Sequence, residues 1–245
     1  MNGFVSNGVD LILANATAPL QAAAQATADI PVLGTSITDY ATALDISDWT
    51  GTVGNNISGT SDLAPLDQQA AMIQELFPDA KSVGLLYCSA EPNSVYQCDV
   101  IEGYLNEEAT PLPAMPSPIR TTSHPWPRLP PITPTSSTSP LTTPQPPTPS
   151  HRKRVIPAKV PVVAGEEGIC SGCGVATLSI SYYDLGYATG EMAAKILADG
   201  ADVSAMPVEF APNVTKKVQR RQLRGAGHHP AVRLRGYRLI ELNSD

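Results

Sequence analysis

Long apolar runs are missing from this sequence. Nowhere do about 18 apolar residues follow one another, the length a membrane-spanning helix requires. Basic residues are scarce in the first part: residues 1–108 carry fourteen acidic side chains against Lys81 alone. Residues 155–215 keep that balance, with seven acidic side chains against two lysines. An acidic body excludes a nucleic acid as its partner, because binding phosphates requires basic neutralisation. Acidic residues are in turn absent between Glu108 and Glu166, and eight of the sixteen basic residues follow Thr215. Taken alone, that tail favours nucleic acid, so the two ends conflict. Four cysteines in 245 residues are too few for a disulfide scaffold. The opening Met1-Asn2-Gly3-Phe4 lacks the basic-then-apolar pattern of a signal peptide, so the sequence as read carries none.

What is present alternates. Asp10–Ala14 is a short apolar run followed by an alanine-rich helix over Ala18–Ala28, and Ile30–Gly34 is a second strand. Thr50–Ser61 is rich in Gly, Asn, Ser and Thr and reads as a connection. A helix follows, with Ser61 or Asp62 as cap, Pro65 in the first turn, and Leu66, Ala70, Ile73 and Phe77 on one face. Ser82–Tyr87 reads as a strand and Glu91–Asn106 as a helix. Val160–Ala164 and Ala176–Ile180 are further strands, and Asp184 caps a helix on which Leu185, Ala188, Met192 and Ile196 align. Short continuous apolar strands alternating with helices predict an α/β fold with parallel sheet covered on both faces. Such sheets bind ligands at the carboxyl ends of their strands. Polar clusters occupy those places here: Asn15-Ala16-Thr17, Thr35-Ser36, Ser89 to Ser94, and Glu166-Glu167.

Residues 109–154 differ. Fourteen prolines fall between Pro111 and Pro149. Proline lacks the backbone donor and fixes φ, so no regular secondary structure is expected there. Taken alone, the segment is a linker, or polyproline II with PxxP sites for SH3-like partners.

Motifs for catalysis are weak. Cys170-Ser171-Gly172-Cys173 is a CxxC, but no second CxxC and no nearby histidine completes a zinc site, which leaves a loop disulfide or plain thiols. Glu166-Glu167 suggests an acid/base pair, yet neighbours on an extended loop point opposite ways. A carboxylate receiving a ligand ammonium, with its neighbour facing solvent, fits better. Ser36, Ser89 and Ser94 have no GxSxG context and no partnered histidine, since His124, His151, His228 and His229 all lie in the unusual segments. Asn15, Thr17, Thr35 and Ser36 are ordinary turn formers as well as donors able to grip a carboxylate.

Four stretches carry a specific resemblance: FVSNGVDLILANAT (Phe4–Thr17), IPVLGTSITDYATALD (Ile30–Asp45), NISGTSDLAPLDQQAAMIQELFPDAKSVGLLYCSAEPNS (Asn56–Ser94) and PAKVPVVAGEEGICSGCGVATLSISYYDLGYATGEMAAKIL (Pro157–Leu197). In their order they resemble the ABC transporter substrate-binding protein family, which includes binders of tryptophan and other aromatic amino acids. The resemblance implies two Rossmann-like lobes of the type I periplasmic-binding-protein fold, incomplete here, closing by hinge motion on a ligand between them. It implies a solute-binding subunit of an ABC importer, not an enzyme, with no cofactor. Its partners would be a small amino-acid-like ligand, aromatic as for the family's tryptophan binders, and an ABC permease. Its place would be extracytoplasmic, anchored to the membrane or periplasmic. Ligand contacts fall on Asn15, Thr17, Thr35, Ser36, Ser89, Glu91, Asn93, Ser94, Glu166 and Glu167. A ligand-sensing domain of a receptor on the same fold is the alternative.

The same resemblance implies a signal peptide and an opening β-α-β-α before Leu11–Ala14, which this sequence does not show. It divides the chain into a first lobe (1–62), a crossover helix (63–77), and a second lobe (78–108 and 155–215, including the return crossover). Residues 109–154 and 218–245 are expected to be translation in a shifted frame. Read one nucleotide earlier, Pro134–Pro144 permits A-D-V-I-Y-I-P-T-D-N-T, a buried strand followed by a ligand loop. Met115–Ser123 permits A-F-T-D-S-N-D-V in the same way. Val218–Pro230, read one nucleotide later, permits a closing helix. That origin accounts for the lost acidic residues and the excess of Pro and Arg.

Overall fold

The computed structural model describes residues 1–78, 80, 83–87, 91–108, 136–139, 161–219, 222, 234 and 236–240. In chain order the first elements are α1 (Asn2–Ser6), β1 (Ile12–Asn15), α2 (Thr17–Ala26), β2 (Val32–Ile37), α3 (Tyr40–Leu44) and β3 (Ile57–Ser61). Next come α4 (Leu66–Leu76), β4 (Val83–Leu85), α5 (Pro92–Glu108), β5 (Ser136–Ser139), β6 (Val162–Ala164), α6 (Glu167–Cys173) and β7 (Ala176–Ile180). The last are α7 (Tyr182–Asp199), β8 (Glu209–Phe210), β9 (Val214–Val218) and β10 (Arg238–Leu239). The chain forms two compact units, Met1–Leu63 with Ile180–Asn213, and Ala64–Ser179 with Val214–Asp245. It therefore passes between them three times, after Leu63, Ser179 and Asn213. Helix α7, grouped by sequence with residues 155–215, lies in the first unit.

The first unit is built on a parallel sheet of order β1-β2-β3-β8. Side chains alternate across a strand, so its two faces need separate cores. On one face Ile12, Leu20, Val32, Ile37, Tyr40, Ile57 and Val208 pack together. On the other, Leu33 meets Met192 and Ile196 of α7, and Val203. Strand β3 lies within the Thr50–Ser61 stretch that the sequence presents as a connection. Its residues Ile-Ser-Gly-Thr-Ser are too polar to signal a buried strand, yet all five are buried. Each hydroxyl has a partner: Ser58 donates to the Met206 carbonyl (2.9 Å), Thr60 bonds the Thr189 hydroxyl (2.8 Å), and Ser61 donates to the Thr38 carbonyl (2.9 Å). Gly59 has φ +144°, and a Cβ there would run into the Gly34 backbone and the Tyr40 hydroxyl. That hydroxyl donates to the Thr60 carbonyl (3.1 Å), so Tyr40 bolts α3 across the two glycines.

In the second unit the order is β10-β9-β7-β6-β5-β4, with β4 through β7 successively parallel. The face Leu66, Ala70, Ile73, Phe77 of α4 is buried as its periodicity predicts. Two caps differ from expectation. Pro65 stands at the start of α4 without a side-chain cap, and Ser61 is inside β3. Ser181, not Asp184, caps α7, accepting from the Asp184 amide. Strand β5 corrects the expectation that 109–154 holds no regular secondary structure. Thr135–Ser139 contains no proline, so its amides are free to pair, and β4 and β6 each offer an edge.

Candidate functional site

The carboxyl ends of β1, β2 and β3 gather the polar residues of the first unit. Asn15 and Thr35 are register partners, and the Ala16 amide donates to the Thr35 carbonyl (3.0 Å). Ala16 is held at φ 82°, ψ 163°, a region essentially reserved for glycine. Thr17 then opens α2, whose N-terminus has no side-chain cap, so its first amides point outward as donors for an anion. Ser36 adopts φ 55°, at a register shift between Gly34 and Ile37 that lifts it out of the β2–β3 ladder. Two strained non-glycine residues side by side at strand ends mark a place where backbone geometry serves something besides folding. Thr35 accepts from the Thr60 hydroxyl at 3.3 Å, which orients it from below.

Asp62 completes this rim, and sequence reasoning assigned it only a capping role. Its amide donates to the Ile37 carbonyl (3.0 Å), so β3 delivers Asp62 just past the Thr35–Ser36 bulge. The side chain is 8% exposed. Tyr182, the first residue of α7, donates its hydroxyl to Oδ2 (3.2 Å), while Oδ1 accepts no hydrogen bond. Burial raises the acid to about 6, against smaller lowering by Thr38 and Tyr182. Tyr40, nearby, is pushed well above its ordinary value by burial first and by the Asp62 charge second. The signal available in sequence was position alone: an acid directly after a strand end.

The second unit holds the other predicted residues, apart from Ser89, which lies outside the described residues. Glu91 accepts from the Ser94 hydroxyl (3.0 Å) at the start of α5, where Ser94 is fully buried and Asn93 half-buried. Glu166 caps α6, taking the Gly168 amide at 2.6 Å on one oxygen and the Ile169 amide on the other. Burial raises it, partly offset by those two amides. Glu167 is paired with Lys217. Both carboxylates are thus engaged by their own unit. Cys170 and Cys173 sit one turn apart within α6 instead of on the expected loop, and both are buried. Burial pushes the Cys170 thiol well up, leaving it unreactive. Among the described residues no group of three His, Cys, Asp or Glu is placed to hold a metal.

Similar solved structures share this architecture. One, a domain in complex with L-Trp from Streptococcus pneumoniae, superposes with a TM-score of 0.76 at 24% identity, over 98% of this chain and 83% of the other. A conserved domain protein from Vibrio cholerae gives 0.76 at 20% identity, over 98% and 81%. The ligand-free, open structure of a substrate-binding protein with adhesive properties from Clostridium difficile gives 0.69 at 28% identity, over 99% and 81%. Two wound parallel sheets joined by three crossings are thus the fold of periplasmic-type solute-binding proteins. The family profile described as ABC transporter substrate binding protein matches residues 1–112 and 153–224, and this chain belongs to that family. The family consists of extracytoplasmic solute-binding proteins, not enzymes. A tyrosine-binding protein of Clostridioides difficile is 32% identical over 213 residues, 84% of this chain. The chain spans 59% of that relative's length. No helix among the described residues is long and apolar enough to cross a membrane.

Proposed function

We propose that this chain captures a small amino acid with an aromatic side chain and delivers it to the permease of an ABC importer, outside the cytoplasm. The observation that carries this reading is the rim at the ends of β1, β2 and β3. There the uncapped start of α2, the Asn15 and Thr17 side chains and the strained Ser36 supply donors suited to a carboxylate. The relatives named for tyrosine and L-Trp support the amino-acid class and its aromatic side chain. Thr35, Glu91, Asn93 and Ser94 belong to the same proposed set, and capture proceeds by hinge closure of the two lobes. No bond of the ligand is made or broken, so no cofactor enters. Calorimetry against a panel of amino acids, sugars and nucleosides tests it: binding confined to amino acids, led by tryptophan or tyrosine, is expected. Binding only to sugars or nucleosides contradicts it.

A further inference from the structure

We propose that Asp62, oriented by Tyr182, is the acceptor for the ammonium group of the bound amino acid; this rests on the amino-acid reading above. The carboxyl stands at the end of β3 next to Ile37, just past the Thr35–Ser36 bulge, on the rim where the carboxylate donors gather. It is 8% exposed, and one of its oxygens accepts nothing. A buried carboxylate with an unsatisfied oxygen is unfavourable unless a cation or a donor arrives. Among the described residues no donor reaches Oδ1. The groups that face it are the Tyr182 hydroxyl from α7, the Thr38 hydroxyl from the end of β2, and Tyr40 from α3, whose proton is given to the Thr60 carbonyl. Among the described residues no lysine or arginine is paired with it.

An ammonium brings a positive charge and three donors, which match that open oxygen and neutralise the buried charge together. The two acids that sequence offers for this role are engaged elsewhere. Glu166 spends both oxygens on the amides of α6, and Glu167 is paired with Lys217. Tyr182 is a positioning residue: by holding Oδ2 it leaves Oδ1 as the face offered to the ligand.

The test compares L-tyrosine with 3-(4-hydroxyphenyl)propionate, the same molecule without its amino group, by calorimetry. The unsubstituted chain should favour L-tyrosine by roughly 100-fold, because a site built for a polar group rejects the analogue that lacks it. Asp62→Asn should shrink that preference to within about 3-fold without weakening the propionate. Affinity for L-tyrosine should fall as pH drops below 6, and affinity for the propionate should not fall with it. Tyr182→Phe should lessen the preference while keeping its pH dependence. Equal binding of both ligands by the unsubstituted chain, or an Asp62→Asn variant that keeps the full preference, overturns the assignment. Binding of neither ligand or of L-tryptophan overturns the amino-acid reading itself, a separate result. If Asp62→Asn does not fold by circular dichroism, the ligand pair and pH profile on the unsubstituted chain still decide.

Discussion

Asp62 is a residue whose cost to the fold is measurable apart from any ligand. Its acid lies at about 6 in the folded chain against an ordinary 3.8. Folding therefore favours the protonated form. The contribution is fully present below pH 4 and is lost as pH rises through 6. At 1.36 kcal/mol per pH unit, the loss is on the order of 3 kcal/mol. Asp62→Asn, which keeps the shape without the charge, should match the parent chain in urea titrations near pH 3.5 and exceed it by up to roughly that amount at pH 8. A variant less stable than the parent at pH 8 would show that the carboxylate is satisfied within the fold. This residue was not legible in sequence. An acid after a strand end resembles a helix cap, and only the placement of Tyr182 and Ile37 separates the two. Glu166 shows the converse: its position at a strand end was plain, but its engagement with two amides of its own helix depends on where α6 begins.

At the scale of elements, apolar runs and periodicity located α2, α4, α5, α7 and five of the ten described strands, β1, β2, β4, β6 and β7. It failed where burial is polar. β3 went unread because Ser58, Thr60 and Ser61 are satisfied by carbonyls and hydroxyls distant in sequence. Its Gly59 carries a sharp prediction. Gly59→Ala places a Cβ against the Gly34 backbone and the buried Tyr40 hydroxyl at φ +144°, and should cost more than about 2 kcal/mol by urea titration. A loss below about 0.5 kcal/mol would mean that β2 and β3 separate easily there.

Strand β5 was unread for another reason: Ser-Ser-Thr-Ser carries no apolar signal. Its place is that of a central strand between β4 and β6, where parallel sheets ordinarily bury Val and Ile. The shifted-frame reading puts Val-Ile-Tyr-Ile on these same four positions, and the family match breaks over 113–152. We propose that residues 109–154 and 218–245 are out of frame. The quadruple substitution Ser136→Val, Ser137→Ile, Thr138→Tyr, Ser139→Ile should then stabilise the second unit, each buried side chain adding about 1.5 kcal/mol or more. Lower stability, or aggregation of the substituted chain, would count against that origin.

The whole molecule belongs to a family of solute-binding proteins, and on the proposed function its stability should answer to its ligand. A ligand that binds only the folded chain raises the unfolding free energy by about 2.7 kcal/mol at one hundred times its dissociation constant. L-tryptophan or L-tyrosine should produce that rise in thermal or urea unfolding, and glucose should produce none. The parallel α/β character was legible from the alternation of strands and helices, and the two lobes only through the resemblance of the four matching stretches. Which unit α7 joins was not, because its apolar face reads the same whichever sheet it covers. The central claim is that the carboxyl ends of β1, β2 and β3 hold an amino acid by its two charged groups. A crystal structure of the chain grown with saturating L-tryptophan tests this most directly. The account predicts the ligand carboxylate at Ser36 and the start of α2, with the ammonium within hydrogen-bond distance of Asp62 Oδ1. Tryptophan bound elsewhere, or with its ammonium turned away from Asp62, would contradict it.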